Sequence, residues 1–289
     1  MTTAVRSPVT TYAEAVVSGV VVAGRLVRLA CERHLRDLEH GHERGLHFDE
    51  EAAQYAIDFF ELGLTLAEGE HADQPFILQP WQQFVTGCLF GWKAGDGTRR
   101  FRVAYIEIGK GNGKTPMAAG FGLFGLVADG ENAAEIYTAG VTRDQANYLL
   151  ADAQKCVAAS PALKSRIEVN VHNLLYRKTN SYMRPVSSEA RSLDQKRVHM
   201  ALIDEIHEHR ESVVVDKMRA GTKGRRQAMI VEITNSGYDR QTVCYQHHEM
   251  SARILEGALD NDSWFAYVCG LDPCDECRAD GHKIGRAHV

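Results

Sequence analysis

The sequence predicts an α/β fold: a largely parallel central sheet flanked by helices, preceded by an N-terminal helical segment. Three observations carry this. The first 75 or so residues show apolar positions at helical spacing and no strand-like alternation. From Phe101 onward, short apolar runs alternate with helical patterns, as strands and crossover helices do. The first of those runs ends in a glycine-rich turn that opens a helix. The chain has 289 residues, 44% hydrophobic and 25% charged, which excludes a disordered or collagen-like chain and suffices for a substantial core.

In the N-terminal segment, Val27, Leu29, Ala30, His34 and Leu38 fall near helical spacing, with Arg and Glu between them. A second helix is expected from Phe48 to Leu66, capped by Asp49. Gly69 to Pro75 reads as a loop. A third helix follows Pro80 through Trp81, Phe84, Val85, Leu89 and Phe90, and Gly95-Asp-Gly97 marks a turn. The apolar stretch Val16 to Ala23 is broken by Ser18 and Gly19 and falls short of the roughly 20 residues a membrane span needs. No secretory signal pattern precedes it, so a cytoplasmic protein without membrane contact is expected.

The strands of the second part are expected at Phe101 to Ile108, Glu135 to Ala139, Val198 to Ile203 and Ala228 to Thr234. Further β structure is expected between Ile167 and Val186, turning at Lys178 to Ser181. Helices are expected at Pro116 to Val127 and from Thr142-x-x-Gln145, a capping-box pattern, to about Ala158.

The sharpest motif is Ile108-Gly-Lys-Gly-Asn-Gly-Lys-Thr115, between a strand and a helix. Phosphate-binding loops require that context: glycines turn backbone amides toward anionic oxygens, and the helix N-terminus adds its partial positive charge. Lys114 would reach the β- and γ-phosphates of a nucleotide and the Thr115 hydroxyl a Mg²⁺ ion. Lys110, Gly111, Asn112 and Gly113 would line the phosphates. The first glycine position of the usual pattern holds Ile108. The blander reading is a glycine-rich turn with no ligand.

A phosphate loop needs a carboxylate partner. Val198-His-Met-Ala-Leu-Ile-Asp204-Glu205 is an apolar strand ending in two acids, and ligands of open α/β sheets bind beyond the carboxyl ends of strands. Asp204 would hold Mg²⁺ and Glu205 would activate water. His207 and His209 follow, expected as loop residues near the nucleotide or as simply exposed ones rather than as a metal pair. Ile230 to Gly237 is a strand ending in Thr234, Asn235 and Ser236, a polar turn able to sense a γ-phosphate.

With 33 basic and 38 acidic residues, the net charge of −5 excludes a nucleic-acid coat, so any DNA contact must be local. Arg219-Ala-Gly-Thr-Lys-Gly-Arg-Arg226 is the one basic cluster, either a phosphate contact or a solvated loop. Five of the seven cysteines are scattered and read as core residues. Cys274 and Cys277 have the spacing of half a zinc site; with only His282 as a further donor, zinc is not expected.

These motifs, in this order, resemble the large terminase subunit of tailed bacteriophages. The resemblance also takes in Phe76-Ile-Leu-Gln-Pro-Trp-Gln-Gln-Phe84, Tyr137 to Ala146 and Pro185 to Asp194. It implies a P-loop ATPase that packages double-stranded DNA into a procapsid in the infected host's cytoplasm. The implied partners are a small terminase subunit, the portal and copies of itself in a ring. It implies adenine contact by Gln82, with Gln79 as the alternative, and coupling of hydrolysis to movement by Thr234 to Gly237. Asn235 stands where a hydroxyl residue is expected. Arg191 has the position of an arginine that acts on a neighbouring subunit's ATP, or is a surface charge.

The expected layout is a helical segment over 1–75, the ATPase core over 76–250, and over 251–283 the start of a linker toward a nuclease domain the chain does not reach. Ile284 to Val289 resembles the translation of a sequencing adapter and is expected as a non-native tail. Two other readings compete with a packaging motor: another helicase-like translocase, and a truncated nucleotide-binding fragment with little turnover.

Overall fold

The computed structural model describes residues 7–187, 196–209, 211–237 and 239–272. Four helices come first: α1 (Pro8–Val17), α2 (Arg25–His40), α3 (Glu50–Gly63) and α4 (Pro80–Gly91). The expected cap of α3 is present, with the Asp49 side chain accepting from the Ala52 amide at 2.9 Å. A two-stranded ribbon, β1 (His47–Phe48) with β2 (Trp92–Lys93), ties the entry of α3 to the exit of α4.

Alternation follows: β3 (Val103–Glu107), α5 (Lys114–Val127), β4 (Glu135–Gly140), α6 (Arg143–Ala159) and the single turn α7 (Pro161–Lys164). A meander β5 (Glu168–Asn170), β6 (Asn173–Tyr176) and β7 (Ser181–Ser187) leads to β8 (Val198–Asp204), α8 (Val213–Gly221), β9 (Met229–Thr234), α9 (Val243–Leu255) and β10 (Trp264–Val268). The box at Thr142 is formed: its hydroxyl accepts from the Gln145 amide at 3.2 Å, and Gln145 returns the bond at 3.2 Å.

The main sheet has the order β10-β3-β9-β8-β4-β7-β6-β5. The six strands from β10 to β7 run parallel, and β6 and β5 are antiparallel additions at one edge. The parallel strands are apolar on both sides because both faces are covered. Ala104, Ile106, Met200 and Leu202 join a core shared with α1 and α3 to α6. Tyr105, Ala201, Ile203 and Ile230 face the opposite way, into a smaller core with α8 and α9. Alternation along a strand thus assigns each residue to a core.

The core sheet continues past the boundary expected at 250. Residue 251 lies inside α9, and β10 pairs in parallel with β3 along its whole length, Trp264 to Val268 against Val103 to Glu107. Those five residues are buried, so they belong to the core rather than to a linker. The N-terminal helices are also part of that body: Tyr12 and Tyr267 hydroxyls lie 2.8 Å apart, and Arg100 pairs with Asp37 at 2.8 Å. Among the described residues no helix is long and apolar enough to cross a membrane.

Candidate active site

Adjacent parallel strands β3, β9 and β8 end together, with Glu107 opposite Thr234 and Ile233 opposite Asp204. Their carboxyl ends gather three loops from distant parts of the sequence. The turn after β3 runs from Ile108 to Gly113, and its path needs left-handed backbone at Gly111 (φ 82°) and Gly113 (φ 69°), which glycine adopts without strain. The Asn112 side chain braces the turn by donating to the Gly109 carbonyl at 3.1 Å. Lys110 is exposed at its tip.

Lys114 opens α5 and is 6% exposed, so its ammonium is held by the protein rather than by water. It donates to the Ile108 carbonyl at 3.1 Å and to Asn235 Oδ1. Thr115 Oγ1 donates to Asp204 Oδ2 at 2.9 Å. Burial pushes the Asp204 carboxyl above its ordinary range, the Thr115 bond opposes this, and the Glu205 charge adds to the rise. A divalent cation would offset that cost. A hydroxyl and a carboxylate side by side are oxygen donors of the kind Mg²⁺ takes together with substrate phosphates.

Glu205 has left-handed backbone, φ 51° and ψ 50°, unusual for a side chain of its kind and common where a site holds its residues under constraint. Its carboxylate accepts from Asn235 Nδ2 at 3.2 and 3.4 Å and lies 3.2 Å from His207 Nδ1. The same His207 nitrogen is 2.9 Å from Thr234 Oγ1, and Thr234 donates to the Asn235 carbonyl at 2.8 Å. His209 is separate and, against the expectation of an exposed residue, buried; burial outweighs the nearby acids Glu232 and Glu208 and lowers it to about 4.

One cluster here was not anticipated. Glu107, the last residue of β3, accepts from Ser236 Oγ at 2.7 Å and from Tyr105 at 2.8 Å, and lies 2.8 Å from His248 Nδ1 on α9. Burial alone would raise the Glu107 carboxyl; the His248 bond and charge, with the two hydroxyls, outweigh it and hold the carboxyl low. The only signal in the sequence is an acid closing an apolar run just before the glycine turn.

A cleft of about 850 Å³ opens beside the loop, lined by Gln79, Trp81, Gln82, Ile108, Asn112 and Gly113 among others. Gln82 Oε1 accepts from the Gln79 amide at 2.8 Å, which commits that oxygen to the start of α4. Its Nε2 lies 3.4 Å from where a Cβ on Gly113 would stand, so the amide donor abuts the loop. Trp81 stacks on Tyr267, with ring centres 5.7 Å apart, at the same cleft.

Two of the four cations in the basic cluster are engaged by the fold, while Lys223 is exposed and Arg226 meets only Asp96 at the surface, at 3.5 Å. Arg219 reaches buried Glu232 at 3.3 Å, and Arg225 pairs with Glu131 at 2.7 Å and donates to the Ala133 carbonyl. Arg225 leads into the start of β9, so it sits at the end of the sheet opposite the glycine-rich loop. Arg191, Cys274, Cys277 and His282 lie outside the described residues.

Three of the motif groups read from the sequence therefore meet in space: the loop with Lys114 and Thr115, the acids Asp204 and Glu205, and the turn Thr234 to Gly237. Gln79 and Gln82 border them. Residues 80–253 match the family described as "Terminase large subunit, ATPase domain". The fold is similar to that of the HK97 bacteriophage large terminase, with a TM-score of 0.62 and 19% identity over 75% of this chain and 43% of that one. A stretch of 78 residues is 32% identical to the protein YmfN of Escherichia coli (strain K12), 27% of this chain and 17% of that protein. The chain spans less than half the length of either.

Proposed function

We propose that this chain, which belongs to the terminase large-subunit family by its ATPase domain, hydrolyses ATP to drive double-stranded DNA into a phage procapsid. The observation that carries the reading is the 2.9 Å bond from Thr115 to Asp204, because it joins a helix-opening glycine loop to an acid at the end of a parallel strand. That is the arrangement phosphoryl transfer needs, where positioning and charge neutralisation do most of the work.

In this reading the loop from Lys110 to Gly113 surrounds the phosphates and Lys114 holds the β- and γ-phosphate oxygens. Thr115 and Asp204 hold Mg²⁺, which when bound neutralises charge on the phosphates. Glu205 orients and deprotonates the attacking water. Gln82 donates to the adenine edge, with Gln79 beside it. Thr234, Asn235, Ser236 and Gly237 respond to the γ-phosphate and pass its loss to the rest of the fold. Arg191 acts in trans on a neighbouring copy. The partners are double-stranded DNA, a small terminase subunit, the portal and sister copies in a ring, in the cytoplasm of an infected bacterium.

The test is ATP turnover with and without double-stranded DNA, for the parent, Lys114→Ala and Glu205→Gln. Lys114→Ala should abolish hydrolysis and weaken binding of ATP. Glu205→Gln should keep binding and lose hydrolysis by on the order of 10²-fold or more. Turnover by Glu205→Gln equal to the parent's would defeat the assignment.

A further inference from the structure

We propose that the amino ends of the parallel strands carry a ridge of cations that holds the phosphate backbone of double-stranded DNA. The inference rests on the packaging reading above and adds to it the surface that meets DNA. Parallel strands gather the turns that precede them at one end of the sheet. Along the order β3-β9-β8-β4-β7 those turns bring together cations from distant parts of the chain. Arg102 directly precedes β3, Lys223 and Arg226 precede β9, Arg197 directly precedes β8, and Lys178 lies in the turn before β7. Lys178, Arg197, Lys223 and Arg226 are exposed. Hydrogen bonds tie the turns to one another. Arg102 donates to the Arg225 carbonyl at 3.4 Å, and Arg225 donates to the Arg197 carbonyl at 3.3 Å and to the Ala133 carbonyl. The Ala133 amide, next to the start of β4, donates to the Thr179 carbonyl at 2.8 Å. Arg102 and Ile108 bracket β3, so at ~3.3 Å per residue the ridge stands about 20 Å from the glycine-rich loop.

The acids at this end are spent on other groups. Glu131 is taken by Arg225 at 2.7 Å, and Asp129 is buried against Arg99. Glu135 accepts from the Tyr137 hydroxyl at 2.6 Å and from the Arg197 amide at 3.0 Å. Asp96 reaches Arg226 at 3.5 Å with both side chains more than half exposed, a pairing worth little. Arg102 is short of acceptors: its Nη1 is buried with no hydrogen-bond partner, and burial together with the neighbouring Arg99 pushes the guanidinium below its ordinary range. The chain as a whole carries a net charge of −5, so the ridge is a local reversal of sign.

The shape of the array suits a duplex. Neighbouring strands lie about 4.8 Å apart, so the ridge from β3 to β7 runs roughly 19 Å. A duplex carries one phosphate charge per ~1.7 Å of its axis, which sets on the order of ten phosphates along that length. Long cations on turns meet phosphate without reading bases, as a contact with any sequence requires. A protein partner would call for apolar or aromatic anchors. Among the described residues, none of the large apolar side chains left exposed lies in these turns.

The test is the affinity of the chain for a short fluorescent DNA duplex, read by anisotropy across a salt series. Lys223→Ala combined with Arg226→Ala should lower the slope of log affinity against log salt by about two, and Lys178→Ala should lower it by about one, alike for two unrelated sequences. Lys223→Glu combined with Arg226→Glu should weaken binding at low salt on the order of tenfold or more. Melting temperature and DNA-independent ATP turnover should stay as in the parent. Arg143→Ala removes a cation exposed at the other end of the sheet, where α6 starts, and should leave the slope unchanged. The proposal is overturned if the Lys223 and Arg226 variants keep the parent's slope and affinity, which would leave the ridge to an acidic protein surface. It is equally overturned if Arg143→Ala lowers the slope as much as they do. A parent chain that binds no duplex DNA would instead sink the packaging reading, and the ridge with it.

Discussion

Thr115 Oγ1 donates to Asp204 Oδ2 at 2.9 Å, bridging the first turn of α5 and the end of β8, which lie 89 positions apart in the chain. With Asp204 ionised, both oxygens have lone pairs to offer a hard cation.

Thr115→Val preserves the shape of the side chain and removes its oxygen. ATP turnover should then need about tenfold more Mg²⁺, and maximal turnover should fall on the order of 10²-fold. A Mg²⁺ titration of turnover reads both, and a curve that overlays the parent's would remove Thr115 from the metal site.

The Glu107–His248 pair should make stability depend on pH in a defined window. The Glu107 bond and charge raise the His248 imidazole above its ordinary value, so its stabilisation is complete below about pH 6.5 and is lost as pH rises through the raised value. Glu107 is held low, so its share is complete above about pH 4.5 and is lost as pH falls through the lowered value. Replacing His248 by Gln should cost most in melting temperature near pH 5.5 and progressively less above pH 7.5. A penalty that is flat from pH 5 to 9 would show that charge plays no part in the contact.

Arg100 is buried against Asp37 at 2.8 Å, pairs with Asp262 at 2.8 Å, and lies over the Trp92 and Phe101 rings. Arg100→Leu leaves Asp37, itself 2% exposed, short of a counter-charge. The expected loss in urea unfolding falls short of the ~3–5 kcal/mol of a fully unpaired buried charge, because Arg44 and, at 3.9 Å, Arg33 still face the carboxylate, but it exceeds what a surface pair contributes. Arg44 also reaches Asp37, at 2.6 Å but half in solvent, so Arg44→Leu should cost less. Equal costs for the two variants would contradict the assigned burial.

What could be read from the sequence was local. The glycine turn that opens a helix, the apolar strand that ends in acids, the Asp49 cap and the Thr142 box are each written within a few residues, and each has the expected local structure. What was missed depends on partners far away. β10 is a run of only five residues, Trp-Phe-Ala-Tyr-Val, and its mate in β3 lies about 160 positions earlier. Its aromatic, fully apolar run after Asn-Asp-Ser was nevertheless a usable strand signal. Glu107 and His248 are 141 positions apart, and although Glu107 directly precedes the glycine turn, nothing local ties it to His248. The left-handed backbone of Glu205 could not be inferred at all, since propensity argues against it. The basic run from Arg219 to Arg226 was read either as a phosphate contact or as a solvated loop, and composition could not show that Arg219 and Arg225 are paired within the fold.

The bond between Tyr12 and Tyr267 also bears on how the molecule comes to exist. It closes a loop of 255 residues, and β10 must slot beside β3 after nearly all the intervening chain is made. At ribosomal rates of about 5–20 residues per second, the first helices wait on the order of ten seconds or more for their partner strand. For part of that interval β3 lacks its β10 neighbour, and an unpaired strand edge can pair with the wrong chain. The strand that joins the sheet beside the glycine-rich loop is therefore among the last of the described elements to be made, and the contact that ties the first helix to the sheet can form only then.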